Sequence, residues 1–111
     1  MKLYTEIKQR TLIVRLEGEV DLLVADAVRK KLDEAMEQSG VTNLILNLAR
    51  VTFIDSSGLG VILGRYKRIS QLGGKMSAVQ LQPQVEKIFE LSGLLRIIKI
   101  FSTEQQALES A

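Results

Sequence analysis

Phe53-Ile54-Asp55-Ser56-Ser57-Gly58-Leu59-Gly60-Val61-Ile62-Leu63-Gly64-Arg65-Tyr66-Lys67 decides how the rest of the chain is read. It has the order of a buried segment, a tight polar turn and a helix. Phe53 and Ile54 are apolar and suit a chain leaving the core. Asp55, Ser56 and Ser57 are residue types whose oxygens accept from the free amides of a helix N-terminus. Gly58 and Gly60 add no bulk, so another molecule could approach the backbone there. Leu59, Ile62, Leu63, Tyr66 and Ile69 follow at spacings of three and four, which makes one apolar helix face. Arg65, Lys67 and Arg68 lie towards its C-terminal end, where positive charge suits the dipole. A hydroxyl is thus expected at the mouth of a helix, with small neighbours and an acid beside it.

Working outward, that helix ends near Leu72-Gly73-Gly74, and Lys75 to Leu81 reads as a strand. Pro83 stands at a helix start, where its missing amide costs nothing. Val85, Ile88, Phe89 and Leu91 or Leu94 form the apolar side of that helix, and Ser92-Gly93 closes it. Arg96 to Phe101 reads as a strand. A short last helix follows, with a capping pair at Ser102 and Gln105 or at Thr103 and Gln106. On the N-terminal side, Leu44-Ile45-Leu46 with Leu48 suits a central strand covered on both faces. Before it, Asp21 caps a helix carrying Val24, Ala27, Val28, Leu32, Ala35 and Met36, which stops at Ser39-Gly40. Leu3 to Lys8 and Thr11 to Leu16 alternate as two strands joined at Gln9-Arg10, a hairpin. Gly18-Glu19-Val20-Asp21 leads out of the second strand.

Alternating strands and helices predict an α/β fold with right-handed crossovers between parallel strands. The expectation is about five strands in a mixed, mostly parallel sheet, with an antiparallel hairpin at the edge. About four helices would lie on one face. The 111 residues make one domain, residues 1–111, large enough for a core without covalent staples. There is no cysteine, so no disulfide or thiol chemistry, and no histidine, the commonest general base and metal ligand. The net charge is +2 with interspersed signs, which argues only weakly for nucleic acid. No apolar run approaches membrane-spanning length. Met1-Lys2-Leu3-Tyr4-Thr5-Glu6 lacks the apolar region of a secretory signal, so a soluble cytoplasmic protein is expected.

Other chemistries fit less well. A nucleophilic serine needs a base within reach, and without histidine only a lysine or an aspartate such as Asp55 remains. Gly58, Gly60 and Gly64 miss the dinucleotide spacing by one residue, and no Gly-Lys-Ser/Thr follows to make a P-loop. Close helix-to-sheet packing is the favoured account of Gly60 and Gly64. Glu19, Asp21 and Asp55 are scattered acids, a weak hard-ion signal. Arg65, Lys67, Arg68 and Lys75 lack interleaved aromatics, so a solvated face is favoured over a nucleic-acid patch.

The string from Asp55 to Lys67 resembles the signature of the bacterial anti-sigma factor antagonists, stand-alone STAS domains, and within them the sporulation sigma-F branch. Gly18-Glu19-x-Asp21 resembles that family's Gly-Glu-Leu-Asp. Asn43 to Leu48, Leu91-Ser92-Gly93-Leu94, Ile97-Ile98 and Glu104 to Leu108 extend the likeness over nearly the whole chain.

The resemblance implies the STAS fold and a regulatory protein that is not an enzyme. In the family, the unmodified antagonist binds an anti-sigma factor that is also a serine kinase, and the sigma factor is freed. The kinase uses ATP to phosphorylate the antagonist, which lets go, and a serine phosphatase resets it. The target corresponds to Ser56, with Ser57 its neighbour to be ruled out. Asp55, Gly58, Leu59 and Gly60 would form the phosphosite loop, and Glu19, Asp21, Leu22 and Leu23 the adjoining partner surface. No cofactor, direct nucleic-acid contact or membrane contact is implied, and the free protein is expected to be a monomer. One departure stands out: sporulation members usually carry two histidines where this chain has Leu22-Leu23. The remaining readings are a STAS switch in another pathway, such as a general stress cascade or a sulphate transporter-type regulator, and a nucleotide-binding STAS module.

Overall fold

Gln9 and Arg10 turn the chain back on itself with both residues at positive φ, 50° and 68°. That backbone twist matches the twist of the strands a two-residue turn joins. The computed structural model describes residues 1–38 and 40–110. Its elements are β1 (Lys2–Lys8), β2 (Thr11–Val20), α1 (Leu22–Met36), β3 (Asn43–Ile54) and α2 (Ser56–Gln71), then β4 (Met76–Val79), α3 (Pro83–Ser92), a 3-10 turn (Leu94–Arg96), β5 (Lys99–Phe101) and α4 (Glu104–Glu109). The sheet order is β1-β2-β3-β4-β5. β1 runs antiparallel to β2, and the other neighbouring pairs are parallel. This is the expected mixed five-stranded sheet with an antiparallel edge hairpin.

Side-chain alternation along the strands divides two cores. Leu12, Val14, Leu44, Leu46 and Ala78 share one face with Val28 and Leu32 of α1, Ile62 and Ile69 of α2, and Val85 and Phe89 of α3. Ile13, Ile45 and Val79 point the other way and are covered by Ala107 of α4. The expectation of every helix on one face therefore needs correction at α4. The first three helices each cross between parallel neighbouring strands, and crossovers of one hand put them on one face; α4 packs on the other through Ala107.

A polar tie holds α4 there. Arg15 Nε and Nη2 donate to the two carboxylate oxygens of Glu104, each at 2.8 Å, and Asn47 Nδ2 donates to Glu104 Oε2 at 2.8 Å. Arg15 also donates to Glu6 at 2.9 Å. The hydrogen bonds from Arg15 hold both carboxyl groups below the usual carboxylate range and push the guanidinium up. Thr103 Oγ1 accepts from the Gln106 amide at 3.1 Å, so Thr103 and Gln106 make the helix start.

Several expected boundaries shift. Phe53-Ile54 is the end of β3, a single twelve-residue strand, and Phe53 faces outward at 45 % exposure. β4 is shorter than Lys75 to Leu81, ending where Gln80 takes a positive φ of 59°. The expected strand from Arg96 contracts to Lys99–Phe101, because the left-handed Gly93 leads directly into the 3-10 turn that buries Leu94. Leu91 is exposed, so Leu94 is the apolar partner on that side. In α1, Ala25 is buried and Ala27 exposed, and the helix ends at Met36 with Glu37 as its C-cap; Gly40 follows at φ 83°, whereas Ser39 lies outside the described residues. Gly74 is forced, since a Cβ there would lie 1.6 Å from the Thr42 carbonyl oxygen.

Candidate functional site

Parallel pairing of β2 with β3 places Val20 opposite Ile54. Each is followed by an aspartate that starts a helix, so α1 and α2 begin side by side at the same end of the sheet. Asp21 Oδ1 accepts from the Leu23 amide at 3.0 Å. Asp55 Oδ1 accepts from the Gly58 amide at 3.0 Å. Its other oxygen accepts from the Leu22 amide, also at 3.0 Å. One carboxylate thus closes two helix N-termini, where both dipoles favour negative charge. The Asp55 amide in turn donates to the Val20 carbonyl at 3.2 Å, which draws the two strand ends together.

This closure explains Gly58. A Cβ there would sit 2.4 Å from the Val20 carbonyl oxygen and 2.8 Å from Ile54 Cγ2. Gly58 is buried by its own chain, which corrects the reading of it as open to an approaching molecule. The opposite correction applies to Gly60 and Gly64. Nothing lies within 4 Å of a Cβ built at either, so close helix-to-sheet packing does not account for them.

Ser56 is the first residue of α2 and is exposed, while Ser57 is half-buried. Among the described residues the Ser56 hydroxyl has no hydrogen-bond partner. Asp55 commits both oxygens to amides, so it does not reach that hydroxyl as a base. Beside the turn, Leu22 is 72 % exposed and Leu23 is 90 % exposed. Glu19, also exposed, pairs in register with Phe53. The structure therefore gathers Glu19, Asp21, Leu22, Leu23, Asp55 and Ser56 on one surface. Gly60 is exposed one turn further along α2, whereas Leu59 is half-buried against the core. Phe53, paired with Glu19 and exposed, joins this surface rather than the buried segment the apolar pair Phe53-Ile54 suggests; its parity opposite Ile54 in a strand is the available signal.

The remaining candidates separate from the site. Arg65 is tucked between α1 and α2, its side chain 12 % exposed and its Nε 3.2 Å from Asp33 Oδ1. The pair is close but not aligned as a hydrogen bond, and Nε and Nη1 are buried without a hydrogen-bond partner. Burial lowers the Arg65 pKa from its ordinary value, against the pull of Asp33. Arg68 reaches the same carboxylate oxygen at 3.3 Å. These arginines tie two helices, so the expected solvated basic face is partly a packing contact. Among the described residues, no three acidic side chains gather as a metal site. Nor is any helix of these residues long and apolar enough to cross a membrane.

Residues 2–107 match the STAS domain family. The chain belongs to that family. Among similar proteins, this STAS domain is 43 % identical over 108 residues to the "Anti-sigma F factor antagonist" of Paenibacillus polymyxa, covering 97 % of this chain and 92 % of that one. It is 34 % identical over 103 residues to the protein of the same name from Lysinibacillus sphaericus, covering 93 % of this chain and 87 % of the other. A solved structure of the anti-sigma factor antagonist SpoIIAA in its unphosphorylated form superposes with a TM-score of 0.84 at 33 % identity, over 98 % of this chain and 95 % of that one. The phosphorylated form of Bacillus SpoIIAA superposes at 0.75 with 32 % identity, over 98 % of both chains.

Proposed function

We propose that this STAS domain is an anti-sigma factor antagonist switched by phosphorylation at Ser56. The unmodified protein binds an anti-sigma factor serine kinase and so releases a sigma factor. Phosphate transferred from the kinase's ATP to the Ser56 hydroxyl ends that binding, and a serine phosphatase restores it. The observation that carries this reading is the exposed, unpartnered Ser56 hydroxyl at the head of α2, held out by a turn whose acid is already occupied. Support comes also from relatives with that printed role and from a similar protein solved in a phosphorylated form. The 43 % identity to a sigma-F antagonist favours the sporulation branch.

The physics of the switch is local. A phosphoserine brings about −1.5 to −2 charges at neutral pH. On its own domain that charge sits at a helix N-terminus, where anions are favoured, so the fold survives. The loss falls at the interface, through bulk, desolvation and repulsion. A carboxylate of the kinase about 4 Å away would cost about 4 kcal/mol per charge pair at an effective dielectric of 20. That corresponds to roughly three decades of affinity. Leu22 and Leu23 would meet an apolar surface on the partner.

Intact-mass analysis after incubation with an anti-sigma kinase and ATP tests the assignment. One added phosphate on the wild type and none on Ser56→Ala is the expected result. Modification that persists in Ser56→Ala but disappears in Ser57→Ala would move the site by one residue.

A further inference from the structure

A concavity opens at the other end of the sheet, where β2, β3 and β4 begin, with a volume of about 330 Å³. That lies at the small end of the roughly 300–1,000 Å³ range of ligand pockets. Its hydrogen-bonding groups include Thr11, Asn43, Lys75, Ser77 and Lys99, and among the described residues no acidic side chain lines it. Thr11 and Ser77 are the buried polar residues of the core, 2 % and 8 % exposed. Among the described residues neither hydroxyl is spent on a side-chain hydrogen bond within the protein, and neither is sealed off as a buried atom without a partner; that description fits only Arg65. Asn43 Oδ1 accepts from the Lys75 amide at 2.8 Å, which leaves the carboxamide NH₂ to the cavity. Among the described residues Lys75 Nζ donates to the Ser110 carbonyl at 3.2 Å, one of its three N–H groups. Ile45, Tyr66 and Phe101 supply the apolar wall.

We propose that this cavity is a binding site for a small organic carboxylate carried on a compact apolar body. The lysine ammonium groups and the Asn43 NH₂ would take the carboxylate, the Thr11 and Ser77 hydroxyls would add donors, and the apolar body would lie against Phe101 and Ile45. The walls are fixed in advance: Thr11, Asn43 and Ser77 stand on paired strands, and Gly74 is pressed against the Thr42 carbonyl. Ser70, at the far end of α2, also lines the cavity, about 21 Å along the helix from Ser56. The site is therefore independent of the phosphorylation proposed above, and either can fail without the other.

The test is titration of the full chain with indole-3-acetate, followed by amide ¹H–¹⁵N shifts. Indole-3-acetamide, the uncharged isostere, and inorganic phosphate, the charge without the body, serve as controls. Saturable shifts centred on Thr11, Asn43, Lys75, Ser77 and Phe101 are expected, with both controls at least tenfold weaker. The Lys75→Ala/Lys99→Ala pair, both exposed side chains, should weaken binding at least tenfold while leaving the rest of the spectrum in place. Thr11→Val, which removes only the hydroxyl, should weaken it several-fold. Absence of saturation, equal binding of the amide, or shifts unchanged in the lysine pair would each overturn the proposal.

Discussion

At the scale of single residues, Asp55 joins the fold to the proposed switch. Its two oxygens hold the first turns of α1 and α2, so its removal should loosen both. Asp55→Ala is expected to cost about 1–2 kcal/mol of stability, the range for a lost N-cap, and urea unfolding would measure it. Amide exchange should quicken at Leu22 and at Gly58; exchange that changes at Gly58 alone would deny the bridge between helices. Leu22 and Leu23 make the complementary case. Both are largely in water, so Leu22→Lys/Leu23→Lys should shift stability by less than about 0.5 kcal/mol per substitution. Binding to the cognate kinase should nonetheless fall at least tenfold by calorimetry, and retained affinity would remove these leucines from the interface.

At the scale of an element, α2 contains glycines with opposite demands. Gly58→Ala drives a methyl into the Val20 carbonyl, and overpacking of that kind costs about 1–3 kcal/mol. Gly60→Ala and Gly64→Ala meet open space, so each should stabilise the isolated domain by about 0.5–1 kcal/mol, the helical penalty of glycine. Denaturation midpoints of the three variants check the ordering, and a stabilising Gly58→Ala would contradict the packing at the turn. Retention of Gly60 on an exposed face, next to Ser56, is what a partner needing close backbone approach would require.

At the scale of the whole molecule, the Glu104 tie makes stability depend on acid. Its carboxyl titrates below the ordinary glutamate value of 4.5, chiefly because Arg15 donates to it. A depressed carboxylate pKa adds stability that is complete above the unfolded value and is lost as pH falls through the folded one. Glu104→Gln should therefore lower stability at neutral pH by about 1–2 kcal/mol, discounted for the partly exposed Arg15, and flatten the decline below pH 4.5. Parallel thermal scans of wild type and variant between neutral and acid pH would show the two converging. Phosphorylation makes a different whole-molecule prediction. The modified protein should melt no lower than the unmodified one, because the phosphate joins the amides at the head of α2; a large drop in Tm would mean that the switch works by unfolding.

The residues alone determined the order of elements, since apolar spacing, the Asp21 and Asp55 caps and Gly93 act over one or two turns of chain. They also made the Asp55-Ser56 turn legible, because hydroxyls and small residues at a helix start form a local pattern. Only the tertiary structure decided what those residues touch. Asp55 reaching Leu22, Gly58 pressed on Val20, Phe53 turned outward and α4 beneath the sheet all depend on strands far apart in sequence being paired in register. Local pattern carries torsional preference and amphipathicity, whereas contact across the sheet is set by packing, and no stretch of chain encodes that by itself.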